Sequence, residues 1–133
     1  EELEVKYGEG WATHLPTKIV DPIWVINIPR EFYDFENLDG KWDNYDLILP
    51  RYGEVLSGSR RETDYSKLVW KMQRDGVKRE NYKVLLQLAE EKRLRPSAGA
   101  GLGIERLVSW LTGVDHIGEV QPFPKIPGIV YDL

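Results

Sequence analysis

Gly99-Ala100-Gly101-Leu102-Gly103-Ile104-Glu105-Arg106 (GAGLGIER) is the stretch on which the reading of this chain turns. Glycines at 99, 101 and 103 strip one backbone face of side chains, so a flat or charged ligand can approach the main chain closely. The run Ile104–Leu111 follows at once, with Leu107, Val108 and Leu111 at helical spacing and Gly113 placed to cap the C-terminal end. The free N–H groups at the start of such a helix favour an anion. Arg106 falls in the first turn, where its charge opposes the helix dipole, and a phosphate nearby would account for it. The alternative is tight packing of a strand on a helix with Arg106 solvated; spacing alone does not choose. No Gly-Lys-Ser/Thr follows and no βαβ unit surrounds the glycines, so this is neither a Walker A loop nor a dinucleotide fingerprint.

Upstream, Tyr45–Leu49 and Glu54–Arg61 read as two strands joined by Pro50-Arg51-Tyr52-Gly53, an antiparallel hairpin. The hairpin carries Asp46, Glu54, Ser57, Arg60 and Arg61. Two carboxylates on adjacent strands can share Mg²⁺, which prefers oxygen ligands. Arg61 can grip a carboxylate through parallel hydrogen bonds. Strict alternation puts Ser57 and Arg61 on one face and Glu54 on the other, so a common site needs a bulge or bend, with Gly58 the natural place. The competing reading is ordinary surface charge.

The remaining elements follow from period and punctuation. Residues 1–20 read as an edge strand followed by irregular chain. Pro22–Ile28 is a β-branched, nearly continuous apolar run, the pattern of a strand buried on both faces and stopped by Pro29. Asp64 is placed to cap a helix through Tyr65, Leu68, Val69 and Met72, ended by Gly76. Tyr82, Leu85, Leu86 and Ala89 give a second amphipathic helix, stopped by Pro96. The tail from Pro122 reads as extended and proline-fixed. The whole is an α+β fold, an antiparallel sheet with flanking helices.

Composition bounds the function. The chain has 133 residues, 18 basic and 22 acidic side chains and a net charge of −4, which fits one globular domain and argues against a generally basic nucleic-acid surface. With no cysteine there is no disulfide, thiol nucleophile or thiolate metal site. His14 and His116 read as hydrogen-bonding or surface residues. No apolar run is long enough to span a bilayer and no targeting leader is visible, so a cytoplasmic location is expected.

Several segments together resemble one family. Gly101–Leu107 (GLGIERL) looks like motif 3 of the class II aminoacyl-tRNA synthetases, within residues 99–108. Glu54–Glu62 (EVLSGSRRE), Leu111-Thr112-Gly113 and Pro122-Phe123-Pro124 resemble the aspartyl/asparaginyl subgroup. Ile26–Asp34 (INIPREFYD), Asn44–Pro50, Arg95–Val108 and Glu119–Ile129 resemble most closely the archaeal asparagine-synthetase-related proteins of that subgroup. The resemblance implies that residues 1–133 form the C-terminal part of a class II catalytic domain, with motifs 1 and 2 absent. It implies ATP and Mg²⁺, a homodimeric full-length protein, and activation of aspartate to aspartyl-adenylate. Arg106 would hold the γ-phosphate, and Asp46 and Glu54 would serve Mg²⁺. Ser57, Gly58 and Arg61 would line the adenylate pocket, and a turn at Gly101 and Gly103 would let adenosine lie against the backbone.

Ser97 stands where tRNA-charging relatives have His, which turns the expectation toward amidation of the adenylate to asparagine rather than toward tRNA. Two alternatives stand beside it. One is a fragment of an asparaginyl- or aspartyl-tRNA synthetase. The other is a truncated paralogue that binds a nucleotide or partner and catalyses nothing. On the main reading the 133-residue chain alone is expected to be inactive.

Overall fold

The computed structural model describes Leu3, Lys6, residues 10–125, Pro127 and Gly128. Its elements are α1 (Trp11–His14), β1 (Ile23–Ile26), β2 (Asn44–Leu49), β3 (Gly53–Arg60), α2 (Tyr65–Arg74), α3 (Lys83–Glu90), β4 (Ala98–Leu102) and α4 (Ile104–Thr112), with short 3-10 turns at Leu15–Thr17, Arg79–Tyr82 and Ile117–Val120. The four strands form one sheet in the order β1-β2-β3-β4. The α+β class expected from the pattern is what forms.

Backbone hydrogen bonds fix the register. Arg60 N donates to Asp43 O at 3.0 Å, which sets Tyr45 opposite Gly58 and Asp46 opposite Ser57. Arg61 N donates to Ser97 O at 2.9 Å and Gly103 N to Val55 O at 2.8 Å, an antiparallel pairing that sets Gly101 opposite Ser57 and Gly99 opposite Ser59. Successive side chains on a strand alternate between faces. Ser57, Ser59 and Arg61 therefore share a face with Asp46; that Ser57 and Arg61 do so is what alternation along the strand led one to expect.

The chain divides into two compact units. One comprises the described residues of Glu1–Ile23, Leu47–Leu56 and Leu102–Leu133; the other comprises Trp24–Asp46 and Ser57–Gly101. The second unit has its core where the inner stripes of α2 and α3 meet. Phe32, Leu68, Met72, Leu86 and Ala89 are buried there. The Phe32 ring packs edge-on to Tyr33 and Tyr82, at 5.4 and 4.8 Å between centroids. Asp64 caps α2 as expected, its carboxylate accepting from Lys67 N at 2.9 Å. In the first unit Leu15 is fully buried, Arg51 N donates to Pro16 O at 2.8 Å, and the Tyr52 hydroxyl donates to Val114 O at 2.9 Å. Gly113 ends α4 with φ 75°, the left-handed cap that its position promised.

Four expectations need correction. Residues 11–17 are helical, where a strand and irregular chain were expected. The β1 run is not buried on both faces. Only Val25 is buried, while Trp24 and Ile26, which share the opposite face of the strand, are 58% and 70% exposed. It ends at Ile26, and Asn27 follows in the left-handed region at φ 58°, two residues before Pro29. The glycines from 99 to 101 form strand β4 rather than a turn, and Gly103 is the N-cap of α4 with an ordinary φ of −76°. Of the tail, Ile126 and residues 129–133 lie outside the described residues.

Candidate functional site

In the second unit the paired strands β2 and β3 hold Asp46 and Ser57 side by side, and Arg30 joins them. The Arg30 guanidinium donates to the Ser57 hydroxyl through Nη1 and to Asp46 Oδ2 through Nη2. Asp46 is buried, and its other oxygen, Oδ1, has no hydrogen-bond partner. A carboxylate oxygen out of water with no donor is costly to leave so. It is therefore the atom of this cluster best suited to accept from a ligand donor or a cation. Arg30 stands beyond the end of β1 because Asn44 anchors that segment: its amide accepts from Ile28 N at 2.8 Å and donates to Ile28 O at 2.6 Å.

Further along the same face, Arg61 is held by Asp34. The two residues form an antiparallel bridge, so their side chains emerge together. Arg61 Nη1 lies 2.6 Å from Asp34 Oδ1 and 2.7 Å from the Ser59 hydroxyl, and that hydroxyl donates to Asp34 Oδ1. The Tyr33 ring centroid lies 5.2 Å from the guanidinium carbon, a cation–π contact. Burial, with the negative charges of Glu31 and Asp34 beside it, raises the Tyr33 hydroxyl pKa above its usual value. Opposite, Gly99 leaves room for the guanidinium, since a Cβ there would sit 3.1 Å from Arg61 Nη2. At Gly101 space makes no demand: a Cβ there would meet no atom within 4 Å, so the face of β4 is open at that position. Gly58 has a spatial reason too, for a Cβ would lie 2.7 Å from the Tyr45 ring. Its φ lies outside the positive region, and its place in β3 is explained by this packing.

In the first unit, Arg106 on the first turn of α4 donates to the backbone carbonyl of Glu54. Gly103 N donates to Val55 O beside it, and Leu107 N to Gly103 O at 3.0 Å, so strand pairing and helix start together set where Arg106 stands. Its remaining donors, on an exposed residue, are available to an anion.

Of the residues picked out in the sequence, the structure thus joins Asp46 to Ser57, sets Gly101 opposite Ser57, and joins Glu54 to Arg106. Among the described residues no three His, Cys, Asp or Glu gather as a metal cage would require. His116 is structural: its Nδ1 accepts from Gly118 N at 3.0 Å and its N donates to Glu119 at 3.1 Å. Arg30 and Asp34 were missed. Arg30 sits in a loop whose spacing to Asp46 and Ser57 has no period, and only the mutual bridging of residues 34 and 61 places Asp34. Both lie in the INIPREFYD segment, which was legible as a family signature.

A four-stranded antiparallel sheet that closes with a glycine-rich strand and an Arg-bearing helix defines a class. Residues 9–127 match the family described as tRNA synthetases class II (D, K and N), and the chain belongs to it. It is 39% identical over 139 residues to asparagine–tRNA ligase of Metamycoplasma arthritidis, covering 98% of this chain and 31% of that protein. It is 41% identical to asparagine–tRNA ligase of Thermococcus kodakarensis, covering 97% and 32%. The structure of Entamoeba histolytica asparaginyl-tRNA synthetase in complex with asparaginyl-adenylate superposes with a TM-score of 0.79 at 30% identity, covering 95% of this chain and 31% of that one. The chain thus spans less than a third of the length of these relatives.

These relatives correct the expected activity. Proteins similar over nearly the whole chain are tRNA ligases for asparagine, so the reading as an aspartate-amidating, asparagine-synthetase-like enzyme falls. The inference from Ser97 falls with it: residue 97 pairs with Arg61 through its backbone carbonyl, and its side chain is exposed.

Proposed function

We propose that this chain is the C-terminal part of the catalytic domain of an asparagine–tRNA ligase. Asparagine and ATP give asparaginyl-adenylate and pyrophosphate, and the asparaginyl group then passes to tRNA. The observation that carries this reading is the 39–41% identity to asparagine–tRNA ligases across 97–98% of the chain. The likeness to a synthetase in complex with asparaginyl-adenylate supports it.

In this reading Arg106 places a cation where charge develops on the leaving pyrophosphate, a contribution that needs no nucleophile in the protein. Arg61 and Ser57 hold the amino acid, and Gly58 keeps β3 flat against Tyr45 so that Ser57 stays in place. Gly101 and Gly103 let the adenosine lie against bare backbone. Asp46 offers the hard oxygen donor Mg²⁺ prefers, and its unpartnered Oδ1 fits that role; Glu54, expected beside it, lies on the other face of the unbulged strand and is not part of that ligand set. The bound ion would compensate phosphate charge. The full-length protein is expected to act as a cytoplasmic homodimer with tRNA as a partner, and the 133-residue chain alone to be inactive.

The test is ATP–pyrophosphate exchange by the full-length protein. Exchange that depends on asparagine, and is far weaker with aspartate, is expected. Exchange driven equally or better by aspartate would remove asparagine as the substrate.

A further inference from the structure

We propose that Asp34 is a specificity-positioning residue: by holding its carboxylate against Arg61, it makes that arginine select a neutral amide side chain and reject a carboxylate. The inference rests on the reading above that Arg61 meets the bound amino acid, and it assigns that contact to the end of the side chain.

Asp34 is 2% exposed, so its carboxylate is a fixed internal partner of Arg61 rather than a solvated neighbour. It cannot swing away. Its backbone pairs with Arg61, the buried Lys71 ammonium donates to its carbonyl at 2.5 Å, and the Ser59 hydroxyl donates to its Oδ1. One arm of the guanidinium, Nη1, is spent on Asp34 and Ser59. Nη2 faces the bare backbone of Gly99, and the Arg61 side chain remains 37% exposed. What a ligand meets is therefore a set of N–H donors whose positive charge is already balanced.

Asparagine and aspartate differ at one atom and one charge. The amide oxygen of asparagine needs a donor and brings no charge, so a balanced arginine serves it well. The carboxylate of aspartate needs a net positive partner and would stand close to a second, buried carboxylate. A lone arginine would favour the acid, and an arginine with a built-in counter-ion reverses that preference by repulsion. Selectivity then comes from a repulsive element placed behind the recognising residue.

The experiment compares full-length wild type with Asp34→Asn and Asp34→Ser, measuring kcat/KM in ATP–pyrophosphate exchange for asparagine and for aspartate. In both neutral variants the asparagine-to-aspartate ratio should fall about 10-fold or more, with asparagine activity persisting. A purely structural role would lower both substrates together and leave the ratio where it was; that result, or an unchanged protein, overturns the proposal. If neither variant accumulates as folded protein, competition on the wild type decides. The β-methyl ester of aspartate, uncharged at the side chain, should inhibit asparagine-dependent exchange about 10-fold better than aspartate. Equal inhibition overturns the proposal. Wild type that shows no asparagine-dependent exchange would instead refute the reading of the enzyme itself.

Discussion

Replacing Lys71 by Met keeps the length of the side chain and removes its charge, in a place where the charge is enclosed. The Lys71 and Glu62 side chains are each 1% exposed, and Nζ lies 3.3 Å from Glu62 Oε2. Breaking a buried pair by removing one partner leaves the other charge uncompensated and typically costs about 3–5 kcal/mol. Glu62 is not abandoned completely. Its Oε1 still accepts from Thr63 N at 3.0 Å and Asp64 N at 3.2 Å, and Lys67 Nζ stands 4.0 Å from Oε2. That argues for the low end, about 3 kcal/mol. The lost hydrogen bond to Asp34 O adds about 1 kcal/mol. Lys71→Met should therefore destabilise the second unit by about 3–4 kcal/mol, and Lys71→Met with Glu62→Gln should recover a third or more of that. The assay is urea unfolding of the full-length protein followed by tryptophan fluorescence, for which Trp42, whose ring centroid lies 5.5 Å from Lys71 Nζ, is a local reporter. A single variant within 1 kcal/mol of wild type, or a double variant no more stable than the single, would refute the claim that this pair holds the unit together.

Three further outcomes are expected. Arg106→Ala in the full-length protein should lower asparagine activation by ~10²–10³, and Lys should restore little because the forked donor geometry is lost; pyrophosphate exchange reads both. Gly58→Ala should cost about 1–3 kcal/mol by overpacking against the Tyr45 ring, with the loss reduced when Tyr45 is also shortened to Leu; thermal unfolding of the two variants compares them. Burial lowers the Lys71 pKa, outweighing the raising effect of Glu62. Between that lowered value and the ordinary lysine value the unfolded chain binds more protons than the folded one, so Lys71 contributes stability that rises with pH there. Urea midpoints across alkaline pH should climb more steeply, or fall less, in wild type than in Lys71→Met.

The sequence made some of this legible and hid the rest for identifiable reasons. The period of Leu68, Val69 and Met72 and the cap at Asp64 are local signals, and α2 forms where they place it. The Gly53–Arg60 strand and its partner were marked by Pro50 and by alternation. The family signature around Gly101–Arg106 was specific enough to name the class, because the glycines, the acid and the arginine must all be present. What stayed hidden was non-local. Nothing near Arg30 foretells Asp46, and nothing near Asp34 foretells Arg61, since the first contact reaches from a loop to β2 and the second is made by a bridge, each across more than ten residues. Trp24 and Ile26 misled because a β-branched run reads alike in a central and an end strand. Gly58 suggested a bulge, whereas it is required by a tyrosine ring on the neighbouring strand. The choice between amidation and tRNA charging rested on the side chain of Ser97, whose backbone makes the contact.

The central proposal is that this chain belongs to an enzyme that charges tRNA with asparagine. The most direct measurement incubates the full-length protein with ATP, labelled asparagine and total tRNA, and counts acid-precipitable label that mild base releases. The account predicts label on tRNA that disappears with Arg106→Ala, and no asparagine formed from aspartate and ammonia. Asparagine formed from aspartate, with no label on tRNA, would contradict it.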